Sequence, residues 1–252
     1  MKRLLVIGIG AGDPAFMTVE AIEAINQVDV FLVVDKGDVK AELVDVRQEV
    51  LHRFASESVY RIVDIDDPGR DPSVAYETAV ERWHLDRVER FEQALIAEVG
   101  DHQCAGILVW GDPSLYDSTL RIVDQVLARE QVRFQHRVIP GISSVQVLAA
   151  RHRIPLNRIG GPVLVTTGRR LREGLPEGID DVVVMLDAQC SFTVLVGEGF
   201  DIFWGAYLGS PDEILIAGPL DEVVERIVKT RAEARHRKGW VFDTYLLRRQ
   251  AG

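Results

Sequence analysis

The chain has 252 residues, of which 47% are hydrophobic and 27% are charged, and its net charge is −10. This composition is ordinary for a globular enzyme, and the length fits one large α/β unit or two smaller ones. The negative charge argues against a nucleic-acid partner, because such binding depends on neutralising phosphates. No apolar stretch reaches the ~18 residues of a membrane span, and the N-terminus lacks the features of a signal peptide. We therefore expect a cytoplasmic protein with neither a nucleic-acid nor a membrane partner.

Strand and helix patterns alternate through the first half of the chain. Short apolar runs predict strands at residues 4–9, 30–34, 59–65, 106–110 and 137–139. Apolar stripes at helical spacing predict helices at residues 18–27, 40–54, 74–99, 116–130 and 142–153. Strands separated by helices pair in parallel through right-handed crossovers. The first half is therefore predicted to be an α/β domain, with a mostly parallel sheet and helices on both faces.

The pattern changes after this point. Five more strand candidates follow, at residues 162–169, 181–187, 201–209, 213–220 and 240–248. Only two convincing helices separate them, 190–198 and 221–236, so we expect mixed or antiparallel pairing. Between the halves, IPLNRIGGP carries two prolines and two glycines. This places the predicted boundary between an N-terminal domain, residues 1–156, and a C-terminal mixed-sheet α/β domain, residues 157–252.

The two cysteines give no sign of a metal centre. Cys104 and Cys190 lie in or beside apolar runs and share no metal-ligand spacing. We expect small, buried and reduced side chains, and no bound metal.

Three apolar runs end in turns that contain glycine, within residues 4–14, 107–116 and 137–144. Each is interpreted as a buried strand whose C-terminal end leads into a tight loop. That edge is where open α/β sheets bind ligands, so we expect one composite small-molecule site.

The first turn, GIGAGDP, resembles a dinucleotide fingerprint only in part. The pattern G-x-G-x-x-G needs a third glycine where this chain has Asp13, whose carboxylate would repel a pyrophosphate. An NAD-binding site and a purely structural turn are both alternative interpretations of this loop. The pattern favours a third interpretation, a loop whose bare backbone lines a ligand that is not a phosphate.

The other two turns carry different chemistry. Asp112 and Pro113 make the second turn rich in hydrogen-bond acceptors, which suits a cationic or amine-bearing ligand. The third turn leads through Gly141 to Ser143 and Ser144 at a helix start, where amides and hydroxyls could hold a carboxylate or a ribose. A proline turn and simple helix capping are the structural alternatives.

Taken together, the motifs G-x-G-x-G-D-P, G-D-P-x-x-Y and P-G-x-S-S resemble the tetrapyrrole methylase family. The similarity extends over essentially the whole chain, including YLGSPDE…AGPL at residues 207–220. It implies methyl transfer from S-adenosylmethionine to a corrin or porphyrin precursor, with the active site in the cleft between two domains. It also implies a homodimer.

The resemblance further implies a set of cofactor-binding residues. They are Gly10, Gly12, Trp110, Gly111, Asp112, Leu115, Ser143, Ser144, Met185 and Gly218. The chain departs from the family at Ala11, where proline is frequent, and at Leu186, where relatives usually carry glycine after the methionine.

Residues 35–47 and 70–87 and the YLGSPDE segment resemble those members that methylate precorrin-5 at C1 and release acetate. Either Asp35 or Asp112 could orient the water that this release needs, although Asp35 could equally start a turn. Corrin precursors carry many carboxylates, so Arg169 and Arg170 are candidate substrate-binding residues, with the solvated surface as their alternative role. The nearby arginines are Arg151, Arg153, Arg158 and Arg172. The alternative functions are a methyltransferase with another acceptor, a nicotinamide oxidoreductase and a tetrapyrrole-binding module without activity.

Overall fold

The computed structural model describes residues 1–35, 41–55, 59–67 and 76–250. Backbone contacts divide the chain into two compact units, Met1–Ile142 and Ser143–Gly252, named here the first and the second unit. None of the described helices is both long enough and apolar enough to cross a membrane.

The first unit is a five-stranded sheet with helices between its strands. Its strands are β1 (Lys2–Gly8), β2 (Val30–Asp35), β3 (Arg61–Asp66), β4 (Cys104–Val109) and β5 (Phe134–Ile139). Its helices are α1 (Val19–Ile25), α2 (Ala41–Phe54), α3 (Tyr76–Glu98) and α4 (Thr119–Ala128). The strand order is β3-β2-β4-β1-β5 and every pair is parallel, which confirms the predicted sheet.

Helices cover both faces of this sheet. Leu4 and Val6 of β1 face the core formed with α3 and α4, whereas Leu5 and Ile7 face the core formed with α1 and α2. This alternation follows from the period of two along a strand. All residues of β4 are buried, as expected of a strand covered on both faces. Thr18 caps α1, since its Oγ1 accepts from the Ala21 amide at 3.1 Å.

The second unit has the mixed sheet that the sequence predicts. Its strands are β6 (Val163–Thr167), β7 (Asp181–Met185), β8 (Phe200–Ala206), β9 (Ile214–Pro219) and β10 (Asp243–Arg249), in the order β6-β7-β10-β8-β9. Only β6 and β7 pair in parallel. The helices are α5 (Ser144–His152), α6 (Gly168–Leu171) and α7 (Leu220–Lys238).

One helix prediction in this unit needs correction, and one short helix was not predicted. The segment predicted as a helix at 190–198 is a 3-10 helix, Ser191–Leu195, preceded by Cys190 in a left-handed conformation with φ of 52°. The short helix α6 was not predicted, because four residues carry too little periodicity to be recognised.

The division between the units comes before α5, whereas the sequence places the boundary after residue 156. A ring nitrogen of His152 lies 3.1 Å from the carbonyl oxygen of Trp204, and the Ser144 hydroxyl lies 3.0 Å from that of Thr244. These contacts attach α5 to β8 and β10. Glycines and prolines mark a loop, but the packing of the preceding helix decides to which unit it belongs.

Candidate functional site

The three glycine turns meet at the carboxyl edge of the first sheet. A Cβ atom built on Gly141 would lie 2.1 Å from the carbonyl oxygen of Gly111. One built on Gly8 would lie 2.6 Å from the amide nitrogen of Gly141. No side chain fits at these contacts, so glycine is required for the loops to touch.

The first two turns are also joined by backbone hydrogen bonds. The Gly111 amide donates to the Gly10 carbonyl at 2.8 Å, and the Gly10 amide donates to the Gly111 carbonyl at 3.3 Å. Both glycines have positive φ, 79° for Gly10 and 69° for Gly111. Asp13 serves as the cap of the 3-10 helix Pro14–Phe16, since its Oδ1 accepts from the Ala15 amide at 2.8 Å. Much of the glycine pattern therefore serves contact between loops.

Asp112 links the second turn to the third. Its Oδ1 accepts from the amide of Ser114 at 2.8 Å and from the hydroxyl of the same serine, and its Oδ2 accepts from the Gly141 amide at 2.9 Å. Burial acts to raise the pKa of this carboxyl, but the hydrogen bonds outweigh burial, so its pKa lies below the ordinary value. Both carboxylate oxygens of Asp112 are therefore engaged within the protein.

The first two turns carry no basic residue of their own. No lysine or arginine occurs in residues 8–14 or 110–116, and Trp110 and Leu115 are half-buried beside the second turn. Backbone carbonyl oxygens and the carboxylates of Asp13 and Asp112 lie there, so these turns favour a ligand with positive charge. They do not fit a pyrophosphate, which needs hydrogen-bond donors or cations.

The serines that follow the third turn are engaged within the second unit. Ser143 is 3% exposed, its Oγ accepts from the Val145 amide at 3.2 Å, and its own amide donates to Gln146 Oε1 at 3.0 Å. This is a capping box at the start of α5. The structure thus gives Ser143 the helix-capping role that was the alternative interpretation.

Two further predicted cofactor contacts lie at strand positions of the second unit. Met185 ends β7, and Gly218 of β9 has φ of 151°, a conformation that favours glycine. Leu186 follows Met185 with φ of 53° and is 61% exposed. This left-handed conformation accounts for the glycine that the resemblance expects there.

Of the predicted acid–base and substrate-binding residues, the structure describes the arginine side chains but not that of Asp35. Asp35 is the last residue of β2, where it is in register with Asp66, but its side chain lies outside the described residues. Arg169 and Arg170 of α6 are exposed, and Arg170 forms an ion pair with Glu173 at 2.6 Å. Exposed pairs of this kind contribute little to stability.

Sequence analysis missed two arginines near the carboxyl edge of the first sheet. Arg87 of α3 is 8% exposed and donates to the Ser118 hydroxyl at 3.3 Å, beyond the second turn. Arg47 of α2 is half-buried, and its Nε donates to the Leu108 carbonyl of β4 at 3.3 Å. A signal for Arg87 exists, since it precedes Phe91 and Leu95 at intervals of four residues along the apolar stripe of α3.

Comparison with known proteins agrees with the resemblance. The model of the family "Tetrapyrrole (Corrin/Porphyrin) Methylases" matches residues 3–224. A Sinorhizobium protein named precorrin-6A synthase (deacetylating) is 47% identical over 252 residues, which is 100% of this chain and 97% of that protein. A crystal structure of a cobalamin synthesis related protein (CobF) from Corynebacterium diphtheriae is 35% identical, covers 100% of both chains and has a TM-score of 0.88.

A more distant structure shares the fold. It is the uroporphyrin-III C-methyl transferase of Thermus thermophilus, crystallised in complex with S-adenosyl homocysteine, with a TM-score of 0.56 and 18% identity. The match covers 97% of this chain and 91% of that one. The family match and the full-length similarity to the Sinorhizobium protein show that this chain belongs to the tetrapyrrole (corrin/porphyrin) methylases.

Proposed function

We propose that this protein is an S-adenosylmethionine-dependent methyltransferase of cobalamin biosynthesis. It methylates precorrin-5 at C1 and releases acetate, which gives precorrin-6A. The observation that carries this proposal is the 47% identity, over the full chain, to a relative named for that reaction.

The cofactor supplies an electrophilic methyl group on a positively charged sulfur. The acceptor-rich turns of the first unit suit it, and Gly10, Gly12 and Gly111 would present their backbone to it. The remaining proposed contacts are Trp110, Leu115, Ser144, Met185 and Gly218. Asp112 and Ser143 would act one step away, because their side chains hold the turn and the helix start in place.

Methyl transfer needs an in-line approach of an electron-rich carbon, and most of the rate can come from holding the two reactants in that geometry. The contacts among Gly8, Gly111 and Gly141 leave the turns little room to move relative to one another. Rigid turns at a strand edge therefore provide the positioning that this chemistry requires.

Release of acetate needs a water molecule that adds to the acetyl carbonyl. The bond between that carbonyl carbon and the ring breaks, the electron pair stays with the ring, and a base takes the proton of the water. Asp112 is poorly suited to be this base, because its hydrogen bonds lower its pKa and occupy both oxygens. We assign the base to Asp35, at the end of the strand that neighbours β4.

The test is to incubate the purified protein with precorrin-5 and methyl-labelled S-adenosylmethionine. We expect one acetate for each methyl group transferred. Methyl transfer without acetate would instead indicate a different acceptor chemistry. The Asp35→Asn variant is expected to retain binding of S-adenosyl homocysteine by calorimetry and to lose acetate release.

Calorimetry also separates the remaining alternatives. Binding of S-adenosyl homocysteine without binding of NAD supports the proposal, and the reverse would support an oxidoreductase. We further propose a cytoplasmic homodimer, in line with the family resemblance, and light scattering of the purified protein measures its stoichiometry.

A further inference from the structure

Arg87 is a buried cation that lacks a carboxylate partner among the described residues. Its side chain packs within the first unit, and the guanidinium lies 4.7 Å from the ring centroid of Trp83. Nη1 donates to the neutral hydroxyl of Ser118, and Nε is buried without a hydrogen-bond partner. Within the described part of the chain, no other buried side-chain nitrogen or oxygen is left in this state.

This arrangement is energetically costly. An arginine stays protonated in a protein, and a buried charge without a counter-charge is strongly unfavourable. One weak hydrogen bond to a hydroxyl and one contact with an aromatic face offset only part of that cost. A carboxylate from a ligand would supply the missing partner.

The residues around Arg87 include the carboxyl ends of β2 and β3, so the side chain that lacks a carboxylate partner lies at that edge of the sheet. Arg87 lines a cavity of about 10 Å³, together with Val34 of β2, Ile65 and Asp66 of β3, Phe91 of α3 and Ile122 of α4. That volume holds about one water-sized atom, so it can admit one oxygen of a carboxylate but not a whole ligand.

A second arginine, Arg47, contacts β4, the strand that neighbours β2. In the ladder between β2 and β4, Val30 pairs with Ala105 and Phe31 pairs with Gly106. Further along β4, the Leu108 carbonyl accepts from Arg47. Burial lowers the pKa of Arg47, while the nearby Asp117 acts in the opposite direction. Asp117 and Ser118 are consecutive, so both guanidinium groups are near one short segment after β4.

We propose that Arg87 binds a carboxylate side chain of the tetrapyrrole substrate, with Arg47 as a second cation near the same edge of the sheet. This inference rests on the proposed function, which supplies a substrate rich in carboxylates. Arg87 would act in addition to Arg169 and Arg170, which are exposed, with Arg170 paired to Glu173.

The test compares Arg87→Gln with the wild type and with Arg61→Gln as the matched control. Arg61 lies at the amino end of β3, is exposed and pairs with Glu98 at 2.6 Å, so its loss removes the same charge outside the proposed site. A charged hydrogen bond contributes about 1.5–3 kcal/mol, so Arg87→Gln is expected to raise the KM for precorrin-5 by about 10- to 100-fold. The Kd for S-adenosyl homocysteine should stay unchanged, and Arg87→Lys should recover part of the loss.

Binding of uroporphyrin III, measured by fluorescence, keeps this inference separate from the proposed function. The wild type should bind this polycarboxylate more tightly than Arg87→Gln does, and the methyl ester of uroporphyrin III should not distinguish the two proteins. Equal affinity and equal KM in both proteins would overturn the role of Arg87 while the proposed function stands. Tight, Arg87-dependent binding without turnover of precorrin-5 would overturn the proposed function alone. A wild type that neither binds nor turns over would overturn both.

Discussion

Two arginines are almost equally buried in this protein, and they are partnered in opposite ways. Arg231 of the second unit is 7% exposed, and Arg87 of the first unit is 8% exposed. Arg231 Nε donates to Asp243 Oδ2 at 2.8 Å and its Nη2 donates to the Asp187 carbonyl at 2.6 Å. Among the described residues, Arg87 contacts one hydroxyl and an aromatic face. The second unit compensates its buried charge with a carboxylate, whereas the described part of the first unit supplies none to Arg87.

The two aspartates around Arg231 accept several hydrogen bonds from other groups of the second unit. Asp187 accepts from the Ser191 amide at 2.5 Å, from the Ser191 hydroxyl at 2.9 Å and from the Tyr245 hydroxyl at 2.7 Å. Asp243 also accepts from Trp204 Nε1 at 3.0 Å. Burial, with Asp187 beside it, raises the pKa of Tyr245, which therefore stays a neutral donor. Such a network stabilises one packing of the core and leaves no group available for a ligand.

The largest expected effect is the loss of the pair in the second unit. Asp243→Ala leaves Arg231 buried without its counter-charge, and we expect the free energy of unfolding to fall by about 3–5 kcal/mol. Urea denaturation followed by circular dichroism measures it. The double variant Arg231→Met/Asp243→Leu removes both charges and should recover most of the loss. A loss below about 1 kcal/mol in Asp243→Ala would mean that the pair is not a determinant of stability.

The next effect concerns the crowded turns of the first unit. Gly141→Ala places a methyl group 2.1 Å from the Gly111 carbonyl oxygen, so the turns must separate. We expect a loss of about 1–3 kcal/mol in stability and weaker binding of S-adenosyl homocysteine. Gly161→Ala is the control, since its Cβ would lie 3.5 Å from the nearest atom, an ordinary contact. If both variants bind the ligand equally well, the packing of the turns does not shape the site.

The sharpest test of the comparison is to replace each arginine by leucine. Arg87→Leu removes an unpaired buried charge, so stability should be unchanged or rise by about 1 kcal/mol while activity falls. Arg231→Leu, measured in the same assay, should lose stability, because it leaves Asp243 unpaired. Equal losses in the two variants would make Arg87 a structural residue, contrary to the inference drawn above.

The smallest effect is a pH dependence at Asp112. Its pKa lies below the ordinary value in the folded protein, so its stabilisation is fully present above the unfolded pKa of about 4 and is lost as the pH falls through the folded pKa. At pH 7 we expect Asp112→Asn to be less stable by about 1 kcal/mol, a value kept small by partial exposure. Below about pH 4 the difference between the two proteins should shrink. A difference that is constant with pH would show that ionisation of Asp112 does not matter.

Much of the fold could be predicted because burial leaves a periodic record in the sequence. The first helix, predicted at 18–27, is α1 at Val19–Ile25, and both sheets have the predicted kind of pairing. The weakest prediction is β5, expected at 137–139 and found at Phe134–Ile139. Four of its residues are exposed, so the strand has no continuous apolar run by which it could be recognised.

The site was predictable only to the level of its backbone. Parallel strands end at one edge, so the meeting of the three turns follows from topology. The hydrogen bonding of Asp112, by contrast, depends on the Gly141 amide, which belongs to a different loop. The missing partner of Arg87 is harder still to predict, because it requires knowing which carboxylates do not approach it. Charge compensation of this kind is a property of the folded arrangement.

The strand orders have a consequence for how the protein is made. The first strand, β1, lies between β4 and β5, and the last, β10, lies between β7 and β8. During synthesis β1 therefore emerges long before either neighbour, and one edge lacks its partner until β4 ends at residue 109 and the other until β5 ends at residue 139. The second sheet stays open in its middle until β10 arrives. Each sheet closes around a strand from one end of the chain, so the nascent protein has an extended period in which aggregation competes with folding.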